Sequence, residues 1–280
     1  MEDEAMTGSQ ESRRVRCLIL AASRQGAEDS VAKMKGVSHK CLAPIDGMVM
    51  LERVVRSLED SGVIGDIHVS IESADLLRSV PYLARRMDEG RLHRVAPRGN
   101  LADSVLAAAE AIDNPFPLVV CTGDNALQTP EIVRDFVDAF LAGSGDVAVG
   151  FTREEVVKSE FPEIGLAWHE LKDGGWSACN LYGLRNRNAL KAVEVFRSGG
   201  QFGKRQWRIL KSCGVVPFLL YKLKATTLEG LMNRIARNLG VTCDSIVLDY
   251  PYGPIDVDNP RFFEISEAAL ARRRTGAVDG

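Results

Sequence analysis

Val15–Met50, VRCLILAASRQGAEDSVAKMKGVSHKCLAPIDGMVM, is the stretch whose reading decides the fold. Its apolar start, Val15–Ala22, reads as a buried parallel strand. A small, polar loop over Ser23–Gly36 follows, then His39-Lys40, then the short turn Pro44-Ile45-Asp46-Gly47. Small residues let backbone N–H groups approach phosphate oxygens, and Arg24 and Lys40 bring two cations to neutralise charge. A strand that delivers such a loop is a way of holding a triphosphate, so the segment points to nucleotide chemistry.

Working outward, strand-type runs alternate with helix-type patterns. Met50–Ser61 has apolar residues at helical spacing and stops at Gly62; Asp66–Ile71 reads as a strand, Ala74–Glu89 as a helix and Leu92–Ala96 as a short strand. Leu101–Ile112 is helical, Phe116–Thr122 a strand, Pro130–Ala142 a helix and Asp146–Phe151 a strand. The second half is less regular, with strands expected at Ala167–Leu171, Asn180–Leu184 and Ser245–Leu248. Helices are expected there at Ala189–Phe196, Trp207–Lys211, Thr227–Leu239 and Pro260–Arg273. The fold class implied is α/β, a three-layer, mostly parallel, Rossmann-like sheet, whose ligands bind at the carboxyl ends of the strands. A single domain over residues 15–270 is expected, with a helical excursion at about 186–244 and frayed tails at 1–14 and 271–280.

The chain has 280 residues, 45% hydrophobic and 26% charged, an ordinary soluble composition. Its net charge of -3 argues against a general nucleic-acid binder. The six cysteines form no CxxC pair and read as reduced, mostly buried thiols of a cytoplasmic protein. The acidic, polar start is unlike a secretory signal, and no apolar stretch reaches the roughly 18 residues that span a bilayer.

Several constellations are able to carry chemistry. Gly123-Asp124 follows directly on the strand FPLVVCT, so Asp124 is placed to hold Mg²⁺ against phosphates; it is equally a candidate for an Asx turn or a helix cap. In Ile255-Asp256-Val257-Asp258-Asn259-Pro260 an extended chain puts Asp256 and Asp258 on one face, while Asp258 or Asn259 is also suited to cap the helix that starts at Pro260. In Arg98–Val105 a Gly99 turn opens an alanine-rich helix, with Asn100 and Ser104 offering hydrogen bonds to a base; a plain helix cap at Asn100 reads the same way. Trp176–Gly183 brings Asn180 to a strand entry as an acceptor contact, or forms a bulge or hairpin. The basic run GKRQWRILKSCG and the apolar stripe after it suit a phosphorylated or lipid-like acceptor at a membrane surface, or pack on the core or form a homodimer face.

In this order, the segments resemble the MobA-like nucleotidyltransferases, which share the GT-A, or nucleotide-diphospho-sugar transferase, fold. The family's opening motif corresponds to LAASRQG with Lys40, followed by Leu42–Val54. Its metal-binding aspartate corresponds to Asp124, its late segment to Asp256–Phe263, and its base-reading segment to Gly99–Val105. Ser23 replaces the usual first glycine, and the loop carries the extra charges Glu28, Asp29, Lys33 and Lys35. The resemblance implies that Leu20, Ala21, Ala22, Ser23, Gly26 and Gly123 line the nucleotide, that Arg24 and Lys40 act on its phosphates, and that Asp124 and Asp258 hold Mg²⁺. It implies base contacts from Gly99, Asn100 and Ser104 and an acceptor contact from Asn180. The activity implied is transfer of a nucleoside monophosphate from an NTP to a phosphorylated small-molecule or lipid-precursor acceptor, with release of pyrophosphate. The Ser104-Val105 pair favours CTP, with GTP, as in a molybdenum-cofactor-type guanylyltransferase, as the alternative. A glycosyltransferase on the same fold is the other reading, although Asp124-Asn125-Ala126 lacks the second aspartate of a D-x-D.

Overall fold

A computed structural model of the chain describes residues 14–23, 25–198 and 214–276. Arg24 and the helix expected at Trp207–Lys211 lie outside the described residues. In chain order the elements are β1 (Val15–Leu20), α1 (Ser30–Lys35), β2 (Pro44–Ile45), β3 (Met48–Val49), α2 (Met50–Asp60), β4 (Ile64–Ser70), α3 (Ala74–Arg78), α4 (Pro81–Asp88), β5 (Leu92–Val95), α5 (Leu101–Ala111) and β6 (Leu118–Thr122). They continue with α6 (Pro130–Ala142), β7 (Val147–Arg153), α7 (Glu154–Glu160), β8 (His169–Leu171), β9 (Gly174–Leu184), α8 (Leu190–Val193), α9 (Val215–Lys222), α10 (Leu228–Leu239), β10 (Cys243–Val247) and α11 (Pro260–Thr275). The fold is α/β with mostly parallel strands.

These elements form two compact units. The first takes the chain up to Ala96, Thr122–Arg134 and the chain from Ile255; the second takes Pro97–Cys121 and Asp135–Pro254. Each unit is assembled from separate stretches, so no single linker marks the division.

In the first unit β1, β4 and β5 pair in parallel, with Leu18 opposite His68 and His68 opposite His93. Cys17, Leu18 and Ile19 are fully buried, as the apolar run requires. Helix α2 lays Met50, Leu51, Val54, Val55 and Leu58 on its buried face, the spacing of one helical stripe. The β2–β3 hairpin turns through Asp46 (φ 45°) and Gly47 (φ 78°). Two consecutive left-handed residues make the tight turn that matches strand twist, which is why an Asp-Gly pair stands there. Arg53 of α2 donates to the Ile45 and Asp46 carbonyls at 3.0 and 2.8 Å and fixes that turn.

Two expectations need correction here. The Ser23–Gly36 stretch is not loop throughout, because α1 forms within it. Asp29 caps that helix, accepting from Val31 N at 2.9 Å and Ala32 N at 3.2 Å, and Gly36 ends it at φ 65°. The helix expected over Ala74–Glu89 is two helices: Val80 is extended, and Pro81, which has no N–H to donate, restarts the chain as α4. At the other end of the unit α11 runs to Thr275, into the stretch expected to fray. Arg273 Nη1 donates to the Leu127 carbonyl at 3.0 Å and Arg274 pairs with Asp46 at 3.2 Å.

In the second unit the order is β10-β7-β9-β6, with β8 on β9. Strands β7 and β10 are parallel, and β9 runs against β6, β7 and β8. The register slips between Val149, opposite Tyr182, and Phe151, opposite Ala178. Asn180 sits in that slip at φ 51°, so it marks a β-bulge. Asp146 ties this unit's loops together, accepting from Asn186 Nδ2 at 2.8 Å, Asn188 Nδ2 at 3.0 Å and Thr242 N at 3.0 Å. No disulfide joins the described cysteines, and Cys17, Cys41, Cys121 and Cys179 are buried.

Candidate functional site

The chain beyond β1 turns outward at Ala21, and the Gly123 N–H donates to the Leu20 carbonyl at 3.0 Å. This bond sets the start of the Ser23 loop beside the end of β6. A Cβ on Gly123 would stand 3.1 Å from Ala21 Cβ and 3.4 Å from Leu51 Cδ1, so a side chain there would press on Ala21 and the glycine lets the two segments approach closely. The loop then closes on itself, with Gly26 N donating to Ser23 Oγ at 2.8 Å. Gly26 takes φ 53°, a left-handed conformation that favours glycine. Ala22 is exposed.

Lys40 begins a short 3-10 turn, Lys40–Leu42, and its ammonium lies between two carboxylates. Nζ is 2.6 Å from Asp124 Oδ2 and 3.1 Å from Asp258 Oδ1. The Lys40 and Asp124 side chains are only 19% and 18% exposed, against 52% for Asp258, so the lysine is enclosed on the Asp124 side. Burial opposes its charged form, but attraction to Asp124 and Asp258 outweighs that cost and raises its pKa above the ordinary lysine value. The other oxygen of Asp124, Oδ1, is buried and has no hydrogen-bond partner. A buried carboxylate oxygen left unmatched is costly unless a cation or donor reaches it, so this donor set fits a bound metal ion.

Asp258 is brought to Lys40 by a long-range constraint. Val257 N donates to the Asp124 carbonyl at 3.0 Å, and Asp258 N donates to the Asp256 carbonyl at 2.9 Å. The second bond closes a three-residue turn around Val257, so the expected extended segment with both aspartates on one face is not what forms. Ile255 and Val257 are fully buried. The helix cap is Asn259, whose Oδ1 accepts from Phe262 N at 3.1 Å, with Pro260 in the first turn; Asp258 is thereby left to the ion pair.

Two residues beside this group carry no motif that exposes them. Glu72, just past β4, accepts from the Ser23 N–H at 2.9 Å and pairs with His39 Nε2 at 3.1 Å. Its backbone is held in turn by Arg94, which donates to the Ile71 carbonyl at 3.0 Å and the Glu72 carbonyl at 2.6 Å. One carboxylate therefore joins the Ser23 loop to the residue preceding Lys40. Under the same loop the Cys41 thiol donates to the Ala21 carbonyl at 3.5 Å. Burial first, then Asp124 and Glu72, push its pKa up to about 12, so it stays an unreactive thiol.

The structure brings Ser23, Lys40, Gly123, Asp124 and Asp258 together in the first unit. Gly99, Asn100, Ser104 and Asn180 belong to the second. There Asn100 caps α5, its Oδ1 accepting from Asp103 N at 2.9 Å. The buried Ser104 hydroxyl accepts from Arg98 N at 2.9 Å and donates to the Asn100 carbonyl at 2.9 Å, so it shapes the turn that carries Gly99. Asn180 Oδ1 accepts from Tyr182 Oη at 3.2 Å. Among the described residues no group of three or more His, Cys, Asp or Glu is arranged to hold a metal. No helix among them is long and apolar enough to cross a membrane.

Comparison with known proteins adds the following. The sequence matches the family model of the MobA-like NTP transferase domain over residues 17–221. No curated protein matches it. Among solved structures, one described as a hypothetical transferase from Thermus thermophilus superposes with a TM-score of 0.72 at 24% identity, over 89% of this chain and 99% of that one. CMP:2-keto-3-deoxy-manno-octonic acid synthetase complexed with CTP gives 0.57 at 13% identity, over 93% and 99%. The 4-diphosphocytidyl-2C-methyl-D-erythritol synthase from Anaerococcus prevotii gives 0.54 at 11% identity, over 93% and 99%. At these identities the superpositions show the fold alone.

Proposed function

Because this chain belongs to the MobA-like NTP transferase family, we propose that it transfers a nucleoside monophosphate from an NTP, with CTP favoured and GTP the alternative, to a phosphorylated acceptor. An acceptor phosphate oxygen forms a bond to the α-phosphorus, the bond from the α-phosphorus to the β-bridging oxygen breaks, and pyrophosphate leaves. The attacking phosphate is already an anion, so no side chain has to take a proton from it. Positioning and charge neutralisation then supply the rate.

The observation that carries this reading is the convergence of Lys40 on Asp124 and Asp258, three residues from distant parts of the chain. Lys40 supplies the cation for the triphosphate, held ready by the two carboxylates. Arg24 is assigned to the phosphates from the family resemblance. The Ala21–Gly26 backbone cradles the phosphates, and Gly123 lets that backbone lie close to Asp124. Asp124 and Asp258 would hold Mg²⁺, which when bound supplies positive charge between the phosphates of nucleotide and acceptor. The buried, unpartnered Asp124 Oδ1 supports that assignment. Two carboxylates without a closed protein cage suit Mg²⁺, which keeps waters and takes phosphate oxygens as its remaining ligands. The Gly99 turn, shaped by Asn100 and Ser104, is assigned to the base, and Asn180 to the acceptor.

The test is pyrophosphate release. Wild-type protein is incubated with each of the four triphosphates, Mg²⁺ and a panel of sugar, polyol and lipid-precursor phosphates. Pyrophosphate formed with one triphosphate and one acceptor class, and lost with EDTA, is the expected outcome. Release of nucleoside diphosphate from a nucleotide-sugar instead would overturn it in favour of glycosyl transfer.

A further inference from the structure

The ammonium of Lys40 touches the same two carboxylates that are assigned above to Mg²⁺. Nζ is 2.6 Å from Asp124 Oδ2 and 3.1 Å from Asp258 Oδ1. Among the described residues no other side-chain cation pairs with either aspartate. Lys40 therefore has two uses in the site, on the carboxylates and on the phosphates, and one ammonium cannot serve both at once. A divalent ion on the carboxylates would also repel it.

The carboxylates are placed by backbone and not by the lysine. Gly123 N donates to the Leu20 carbonyl and Val257 N to the Asp124 carbonyl, each at 3.0 Å. Val257 is fully buried, and Asn259 caps α11, so Asp258 stands between two anchored neighbours. Two like charges are thus held at one place whether or not Lys40 lies between them. One ammonium neutralises half of that charge, and a divalent ion neutralises all of it. The backbone of Lys40 is fixed as well, by its 3-10 turn and by the His39–Glu72 contact at 3.1 Å. What is able to change is the direction of its flexible four-carbon stem.

We propose that Lys40 shuts the Asp124–Asp258 pair to divalent cations until a triphosphate draws its ammonium away. The inference rests on the nucleotidyl-transfer reading and adds an order of events to it. While Lys40 lies between the aspartates, their affinity for a divalent ion is low. When phosphates take the ammonium, both aspartates are released to the ion. The coupling is reciprocal, so the ion strengthens triphosphate binding by the same factor. A lysine that served only as a structural counter-ion would stay on the aspartates and give no such coupling.

The experiment titrates Mn²⁺, a paramagnetic substitute for Mg²⁺, into the full-length protein without nucleotide and reads the free ion by electron paramagnetic resonance. Lys40→Met removes the charge and keeps a long side chain. It is expected to bind Mn²⁺ about tenfold or more tightly than the wild type, and Asp124→Asn added to it should abolish the gain. With one of the four triphosphates present, water-proton relaxation by Mn²⁺ should rise in the wild type and not in Asp124→Asn. Binding no tighter in Lys40→Met than in the wild type would overturn the inference; a triphosphate-dependent rise that needs Asp124 would then leave nucleotidyl transfer standing. Absence of Mn²⁺ binding in every protein, with and without triphosphate, would overturn both. Should Lys40→Met melt early, the wild type decides: tight, Asp124-dependent Mn²⁺ binding that no triphosphate improves would overturn the inference.

Discussion

Lys40 Nζ and Asp124 Oδ2 lie 2.6 Å apart, an ion pair between a residue at the start of a 3-10 turn and one just past the end of β6. Asp258 joins it at 3.1 Å. This pair gives the first prediction. Lys40→Ala should lower turnover by about 100-fold, the loss expected from one charge-stabilising group. Circular dichroism should show the fold retained. Wild-type turnover in a folded Lys40→Ala protein would remove Lys40 from the site.

Asp124→Asn tests the carboxylate without changing its shape. The side chain caps no helix; it meets Lys40 and leaves Oδ1 buried and unmatched. Activity should therefore fall by at least about 100-fold, while unfolding free energy changes by no more than about 1 kcal/mol. The double variant with Lys40→Ala should be scarcely worse than either single one, because residues that act as a unit are non-additive. A loss of several kcal/mol in the single variant would mean that Asp124 is a structural group.

Glu72 should matter for nucleotide binding more than for the chemical step. It joins the Ser23 N–H to His39, next to Lys40 in sequence. Glu72→Ala is expected to raise KM for the nucleotide by about 5- to 10-fold, the equivalent of one ordinary hydrogen bond, with kcat little changed. Glu72→Gln, which keeps an acceptor for Ser23, should recover part of the loss. An unchanged KM in both variants would show the link to be dispensable.

Gly123→Ala should disturb the site through packing. The new methyl would stand 3.1 Å from Ala21 Cβ, so Ala21 or the β6 end must shift. A cost of about 1–2 kcal/mol is expected, together with weaker nucleotide binding. A variant as stable and as tight as wild type would contradict the close approach.

The second unit makes a pH-dependent prediction. Hydrogen bonds from Asn186, then the Thr242 N–H, hold the Asp146 pKa down to about 2, below the 3.8 of a free aspartate. A carboxylate whose pKa is depressed in the folded state stabilises above its unfolded value and loses that contribution as pH falls from about 4 towards 2. Asp146→Asn should therefore cost about 1–2 kcal/mol at pH 7, a gap that narrows in that acid window. A gap constant from pH 7 to pH 2 would contradict the sign.

Much of the fold was legible because its signals are local. Cys17–Ala22 is an uninterrupted apolar run, Met50–Asp60 a helical stripe, and Asp46-Gly47 an Asp-Gly pair that takes the expected turn. Helix α1 was hidden by its small and charged residues, although Asp29 and Gly36 are ordinary start and stop signals. The positions of Lys40, Asp124 and Asp258 were readable from motif order, but their meeting was not. It depends on bonds between distant segments, such as Val257 N to the Asp124 carbonyl. Glu72 and its pairing with His39 had no sequence signal, because the two are 33 residues apart and become partners only through the folded chain. Ser104, read as a base contact, spends its hydroxyl on the backbone at Arg98 and Asn100, a use that spacing does not reveal.

The central claim is that Lys40, Asp124 and Asp258 form a metal-dependent triphosphate site. Thermal unfolding of the wild type with CTP, GTP, UTP or ATP, with and without Mg²⁺, tests it most directly. A ligand at about 100 times its Kd stabilises by about 2.7 kcal/mol, enough to raise Tm by several degrees. The account predicts a rise with one preferred triphosphate, only when Mg²⁺ is present, and none in Asp124→Asn. Equal shifts in the wild type and Asp124→Asn, or no shift with any of the four, would contradict it.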